Sequence, residues 1–481
     1  MGSRVKPRLS RGLRDLLPEQ MGARQRLIDT IRGVYERYGF APLATPAIEY
    51  LEVLSGSEAG AETQKQIFTV SNPEQEELGL RFDLTVPLAR VVAQYRDLPR
   101  PFRRYQVGSV WRADKPDPGR FREFTQFDID AVGVPGEVAD AEIIAATCDA
   151  LRALRVGAFR VRFSSRRVLN LLLPFAGIPA ERGPDVFRVL DKLEKIGAKK
   201  LRLELTTGYE DESGDRIPGL GLENSQVDGI ERFLAQRAET REGLLAALRE
   251  LFGSLPDAEA EIDTLARIGH QLDVMGFDES EAELDVSIAR GLAYYTGPVY
   301  EAVLLDAPQF GSVFGGGRYD DLVMRFLGER VPATGGSIGV DRLLAALAHL
   351  GKLRTRHATA DVLVTVFDRN DVDDDLRTVQ ELRRAGIAAE LYVGSGRGPG
   401  KQLRYADKTG IPLVLVCGPD EKERGVVAIK DLAAGARESA QVESREQWRE
   451  ERPGQREVPR GELVASVRSL LDQIRRESES A

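Results

Sequence analysis

The stretch from Gln106 to Gly133, QVGSVWRADKPDPGRFREFTQFDIDAVG, constrains the fold more than any other part of the chain. A strand-like run at 105–111 meets a charged Pro/Gly turn at 113–119. A second run follows, with Phe127, Ile129 and Ala131 on one parity and Gln126, Asp128 and Asp130 on the other. Strand side chains alternate with period two, so an antiparallel pair brings Arg112, Gln126 and Asp130 near one another on one face. Arginines facing carboxylates across a hairpin suit a zwitterionic ligand together with phosphate. Taken alone, the stretch also reads as a solvated, salt-bridged hairpin.

At 481 residues, 42% hydrophobic and 30% charged, the chain has the length for more than one domain with sizeable cores. No apolar run is long enough to span a bilayer. The N-terminus is basic but lacks the apolar centre and small-residue cleavage site of a secretory signal. Lys6 stands where N-myristoylation needs Ser or Thr. Two cysteines (Cys148, Cys417) and three histidines in no ligand spacing predict neither a zinc site nor a disulfide framework, and a cytoplasmic location. A net charge of −9 argues against general nucleic-acid binding. Locally the sign reverses: 100–122 holds seven basic residues against two acids, so one segment can attract phosphate.

Along the chain, 18–38 reads as an amphipathic helix closed by Gly39. Strands are expected at 66–70 and 79–83, helices at 84–95 and 137–154, and a strand at 159–163. The span 185–251 is mostly helical, is broken at 208–224, and reads as an insertion. Strands return at 284–288, 299–305 and 310–314. By itself GGGRYDD (315–321) reads as a tight turn, and GGSIGVDR as a strand of close backbone approach entering a helix. Beyond a basic linker, strands and helices alternate from residue 361, as in a small α/β domain. GSGRGPGK (394–401) has the setting of a phosphate loop but not its spacing, since Ser395 and Gln402 stand where glycine and Ser/Thr are needed; it reads as a basic turn.

RFDLTVPLARVVA (81–93), the arginine hairpin, ARGLAYYTGPVYEA (289–302), GGGRYDD and GGSIGVDRLL occur in this order. With GLRDLLPEQ (12–20) and KQLRYADKTGIPLVLVCG (401–418), they resemble the histidyl-tRNA synthetase family of class II aminoacyl-tRNA synthetases over nearly the whole chain. The resemblance implies an α+β catalytic domain with an antiparallel sheet at 1–352, carrying a helical insertion at about 180–275. A linker at 353–360 and a C-terminal α/β anticodon-binding domain at 361–481 follow. The implied activity is ATP-dependent attachment of L-histidine to tRNA(His) through a histidyl-adenylate. ATP is then a substrate, accompanied by Mg2+, and motif 1 (39–54) makes a homodimer interface.

Residue by residue, the resemblance implies that Arg112 is the motif 2 arginine that clamps the ATP α-phosphate and the histidine carboxylate. Arg120 reaches the β/γ-phosphates or the tRNA acceptor end. Asp83, Leu84 and Thr85 hold the α-amino group, and Gln126 and Asp130 contact the amine and imidazole. Arg290 neutralises the α-phosphate during attack. Tyr294, Tyr295 and Tyr319 line the histidine pocket. Gly336 and Gly339 make room for adenine, and Arg342 contacts the γ-phosphate, completing a catalytic set of Arg112, Arg290 and Arg342. One departure stands out: the family's RGLDYY is RGLAYY here, with Ala293, and Asp285 or Glu301 could replace the lost carboxylate. Two rival readings share the fold. One is a non-catalytic, histidine-sensing regulatory subunit of ATP phosphoribosyltransferase, favoured by Ala293 and opposed by Arg112, Arg290, Arg342 and the C-terminal domain. The other is an RNA-binding protein without aminoacylation, which leaves the ATP contacts without a purpose.

Overall fold

A computed structural model of the chain describes residues 5–56, 66–115, 120–211, 214–288, 295–353, 355, 358–368, 372–394, 398–439 and 452–480. The chain divides into two compact units, 1–15 with 24–353 and 16–23 with 354–481. The helix Pro18–Arg37 ends as its sequence predicts. Gly39 takes φ +77, and the Phe40 N–H bonds back to the Tyr35 carbonyl (3.2 Å) while that of Gly39 reaches Glu36 (3.0 Å). This closure favours a residue without Cβ.

In the first unit β1 (Ala41–Pro42) precedes a small antiparallel sheet of β2 (Ile48–Tyr50), β3 (Thr69–Val70) and β4 (Leu78–Leu80), ordered β2-β4-β3. The hairpin is β5 (Phe102–Trp111) and β6 (Glu123–Val132), and β7 (Phe159–Ser165) follows. A short pair, β8 (Gly208–Glu210) and β9 (Arg216–Pro218), breaks a mostly helical span; then come β10 (Ala282–Leu284), β11 (Pro298–Leu304), β12 (Ser312–Arg318) and β13 (Ala333–Gly339). Eight of these form one sheet in the order β1-β5-β6-β13-β12-β11-β7-β10. Its interior pairs are antiparallel, and the edge pairs β1–β5 and β10–β7 are parallel.

Alternation in β6 sets which side is core. Phe127 and Ile129 are fully buried, and the Phe127 ring meets Tyr35 of the first helix edge-on at 5.1 Å. Each such side chain contributes about 1.5–3 kcal/mol through burial. The opposite parity carries Gln126, Asp128 and Asp130, paired in register with Gly108, Gln106 and Arg104 of β5 and with Gly339, Ser337 and Gly335 of β13.

The glycine cluster departs from the expected tight turn: Gly315, Gly316 and Gly317 lie inside β12, hydrogen-bonded between β11 and β13. The cause is lateral crowding. A Cβ on Gly316 would lie 2.4 Å from the Gly335 carbonyl oxygen of β13 and 2.8 Å from the Tyr300 ring, and one on Gly336 would run into the Phe314 ring. The sheet floor is stripped of side chains because the neighbouring backbone of β13 and the Tyr300 and Phe314 rings, parallel to within 11°, occupy that space.

The second unit holds β14 (Val362–Val364), β15 (Ala389–Leu391), β16 (Leu413–Val416), β17 (Val426–Asp431) and β18 (Gln455–Pro459), ordered β15-β14-β16-β17-β18. Its first three strands are parallel and its last two pairings antiparallel. One face packs on the helices Asp373–Arg384 and Leu463–Ser480 through Val364, Leu382, Leu415 and Val467. The other face buries Leu363, Val414 and Ala406. Coverage on both faces accounts for the near-continuous apolar strands.

Candidate active site

A cavity of about 650 Å³ opens on the polar face of the large sheet, within the 300–1,000 Å³ usual for small-molecule sites. It is lined by Asp83, Thr85, Arg112, Arg120, Gln126, Asp130, Tyr295, Tyr319, Gly336, Gly339 and Arg342. The structure thus brings together residues that are as much as 259 positions apart in sequence, counting from Asp83 to Arg342. Leu84 is the exception among the described residues: its side chain is fully buried away from the cavity, and its carbonyl accepts from Arg104 (3.0 Å). Arg290, Tyr294 and Ala293 lie outside the described residues.

One end of the cavity is cationic. Arg112 follows β5, and its Nε donates to the Phe82 carbonyl (3.0 Å) while its guanidinium lies over the Phe124 ring, 5.0 Å from the centroid. No described residue accepts a hydrogen bond from its two Nη nitrogens. Arg120 is exposed in the turn and pairs with Asp114. Arg342, in the first turn of the helix Val340–His349, donates to the Ser312 carbonyl (2.7 Å). Its neighbour Asp341 ties three segments together. It accepts from Arg14 at 2.5 Å and from the Thr125 N–H of β6 at 2.6 Å. The opening GLRDLL segment and the hairpin are thereby fastened to this helix.

The rest of the lining is acidic and polar. Asp83 accepts from the Val86 N–H (3.0 Å), capping the helix Thr85–Gln94. Gln126 donates through Nε2 to the Ser337 hydroxyl (2.9 Å). Its Oε1 is buried without a hydrogen-bond partner, a cost a ligand N–H would remove. Asp130 accepts from the Tyr319 hydroxyl and pairs with Arg104 at 2.8 Å. Gly335 makes this possible, since a Cβ there would strike the Asp130 carboxylate. Gly339 is different. Nothing approaches closer than 3.8 Å to a Cβ at that position, so its bareness leaves the space to the cavity.

Arg104 was not foreseen as a site residue. It is 0% exposed and lies 2.8 Å from Asp130 and 3.8 Å from Asp128. Burial raises the pKa of Asp83, Asp128 and Asp130, with the Arg104 charge opposing the rise in each. For Asp128 burial dominates and pushes it up to about 7. Asp285 and Glu301, the acids considered as stand-ins at position 293, both engage Arg162 at 3.3 and 2.5 Å. Among the described residues no group of three or more His, Cys, Asp or Glu could hold a metal ion. No described helix is long and apolar enough to cross a membrane.

A glycine-floored antiparallel sheet, an arginine hairpin on one side and a strand-to-helix arginine on the other define the class II aminoacyl-tRNA synthetase fold. A family model described as histidyl-tRNA synthetase matches residues 12–343, and one described as anticodon binding domain matches 361–468. The chain belongs to the histidyl-tRNA synthetase family. It is 45% identical over 482 residues to the histidine--tRNA ligase of Cereibacter sphaeroides, covering 96% of this chain and 97% of the relative. The crystal structure of histidyl-tRNA synthetase from Nostoc sp. PCC 7120 superposes with a TM-score of 0.81 at 32% identity, over 97% of this chain and all of the other. A Bacillus halodurans protein described as an ATP phosphoribosyltransferase regulatory subunit/histidyl-tRNA synthetase has a TM-score of 0.68 at 22% identity. It covers 84% of this chain and 97% of that one, and shares the fold.

Proposed function

We propose that the chain joins L-histidine to tRNA(His) at the expense of ATP, in two steps. The observation that carries this reading is the polarity of a single cavity. By strand register Arg112 and Arg342 lie toward the turn of the hairpin and the Asp130 carboxylate away from it, with the partnerless Gln126 Oε1 between them. An α-amino acid with a basic, N–H-bearing ring fits the second end, and a polyphosphate fits the first.

Histidine binds with its ammonium at Asp83 and Thr85 and its imidazole among Gln126, Asp130, Tyr295 and Tyr319. A histidine carboxylate oxygen attacks the ATP α-phosphorus in line; the α–β bridging bond breaks and pyrophosphate leaves. Arg112 holds the carboxylate and α-phosphate together through this step, which lowers the barrier by positioning and charge neutralisation. Arg342 and Arg120 hold the β- and γ-phosphates, with Gly336 and Gly339 giving adenine its place. ATP enters as its magnesium complex, and the ion supplies further neutralisation of the phosphates. In the second step a terminal ribose hydroxyl of the tRNA attacks the adenylate carbonyl and AMP leaves. Arg290 and Tyr294 take the roles that the family resemblance gives them.

The domain at 361–481 reads the anticodon, joined through the linker at 353–360. We assign the enzyme to the cytoplasm and to a homodimer. Half-exposed Ile48 and Tyr50 on β2, and the position of β1 at the edge of the large sheet, support motif 1 as the dimer surface. The test is charging of a tRNA(His) transcript with labelled histidine. Ester-linked histidine is expected; histidine binding without any charging would favour the regulatory-subunit reading.

A further inference from the structure

Three carboxylates converge on one guanidinium beneath the acidic end of the cavity. Asp130 reaches the cavity; Asp128 does not, yet it lies 3.8 Å from the same Arg104 Nη2 that holds Asp130 at 2.8 Å. Around Asp128, β5 contributes Arg104 and, directly opposite in register, Gln106. Strand β13 contributes Ser337, and the segment between β4 and the next helix contributes Asp83 and Arg81. The first helix contributes Tyr35. The surroundings are dry: Arg104, Gln106, Asp128 and Asp130 are each 2% exposed or less. They are also under-satisfied, since Asp128 Oδ1, Gln106 Oε1, Tyr35 Oη and the Arg104 Nε and Nη1 atoms are buried without hydrogen-bond partners. Arg81 donates to the Ser109 and Thr45 carbonyls (3.0 and 2.6 Å) and its charge also acts on Asp128, while Asp83 feels Arg112 and Arg325 besides Arg104; Asp128 and Asp130 are the two acids paired with Arg104 itself.

Two buried carboxylates that share one guanidinium nitrogen, one of them with an oxygen that has no hydrogen-bond partner, cannot both stay ionised cheaply. Asp130 has the better claim to the negative charge, through the closer guanidinium and the Tyr319 hydroxyl. The proton therefore rests on Asp128. We infer that Asp128 is a positioning residue that acts through Arg104: it holds one proton in the free protein and gives it up when a cationic amino acid occupies the cavity, so that substrate charge is matched without moving Asp130. The inference rests on the proposed histidine site.

The sign follows from linkage. A bound cation favours ionised Asp128, so binding releases a proton where Asp128 is still protonated in the free protein. Burial places that boundary at about 7. Affinity for histidine should rise with pH from 6 and level off near 8, by about tenfold for a coupling of one pKa unit. The Ser337 hydroxyl draws the Asp128 pKa down, so removing it should move the boundary up.

The experiment is calorimetric titration of the full-length protein with L-histidine from pH 6 to 8.5, in buffers of different ionisation enthalpy so that released protons are counted. Wild type and Asp128→Asn are compared. The ligand's own imidazole titrates in both, so the difference isolates Asp128. The expected result is a proton release near pH 6.5 in wild type that Asp128→Asn lacks, with a flatter affinity profile in the variant. Ser337→Ala is the companion, expected to keep the release with its midpoint moved to higher pH, and it carries the test if Asp128→Asn does not fold. Identical proton counts in wild type and Asp128→Asn, or an unmoved midpoint in Ser337→Ala, would overturn the inference. Absence of histidine binding by wild type at every pH would instead overturn the site assignment beneath it.

Discussion

Arg104 is the best single place to perturb this molecule. Replacing it with leucine keeps much of the volume and removes the charge on which Asp83, Asp128 and Asp130 converge. The side chain is fully buried, and the change strips the 2.8 Å partner from Asp130 and the 3.0 Å donor from the Leu84 carbonyl. Removing one member of a buried ion pair costs about 3–5 kcal/mol, because the remaining charge stays in a poor solvent. The orphaned carbonyl adds about 1 kcal/mol. The carboxylates can escape part of this by binding protons, each unit of upward shift being about 1.4 kcal/mol. Their pKa values are already raised by burial and would rise further without Arg104. The loss should therefore be fully present at pH 8 and fall to roughly half by pH 5.5 as protons replace the missing cation. Urea unfolding followed by the fluorescence of Trp111, at the end of β5, reads this directly. A loss below about 1 kcal/mol at pH 8, or one that does not shrink in acid, would refute the electrostatic account of the cluster.

Further expectations follow from the same geometry. Gly335→Ala places a methyl against the Asp130 carboxylate, so the histidine KM should rise at least about tenfold while the ATP KM changes little, since about 1.4 kcal/mol of lost contact suffices; steady-state pyrophosphate exchange separates the two. Asp128→Asn should remove a pH-dependent weakness. A carboxyl raised from 3.8 to about 7 makes the folded state lose stability as pH climbs through that interval, on the order of 4 kcal/mol in all. The variant should show a flatter stability profile between pH 4 and 8, and equal slopes would count against a buried protonated Asp128.

Much of this was legible in the sequence where one strand carries its own pattern. The parity of Phe127, Ile129 and Ala131 against Gln126, Asp128 and Asp130 gave both the hairpin and its polar face. The Gly39 stop and the strand entering the Arg342 helix likewise depend on local chemistry. What could not be read depends on partners distant in sequence. Arg104 looked like one more cation of a phosphate-attracting run, because its burial comes from Asp128 and Asp130 across the hairpin. β5 begins at Phe102 rather than 105 for the same reason. GGGRYDD looked like a turn because glycine permits one; the Tyr300 and Phe314 rings that make it a strand lie on and beside it. Asp341 gave no signal, since its role exists only once Arg14 and Thr125 arrive. The break at 208–224 holds a short hairpin, β8–β9, too brief for periodicity to reveal.

The central claim is that one cavity holds histidine at its acidic end and ATP at its arginine end, and joins them. Histidine-dependent exchange of labelled pyrophosphate into ATP, measured without tRNA on wild type and Arg112→Ala, tests it most directly. The account predicts exchange by wild type with histidine and no other amino acid, and a fall of about 10²–10³-fold in Arg112→Ala, the usual cost of removing a charge-stabilising group. Retained histidine binding with no exchange in wild type, or undiminished exchange in Arg112→Ala, would contradict it.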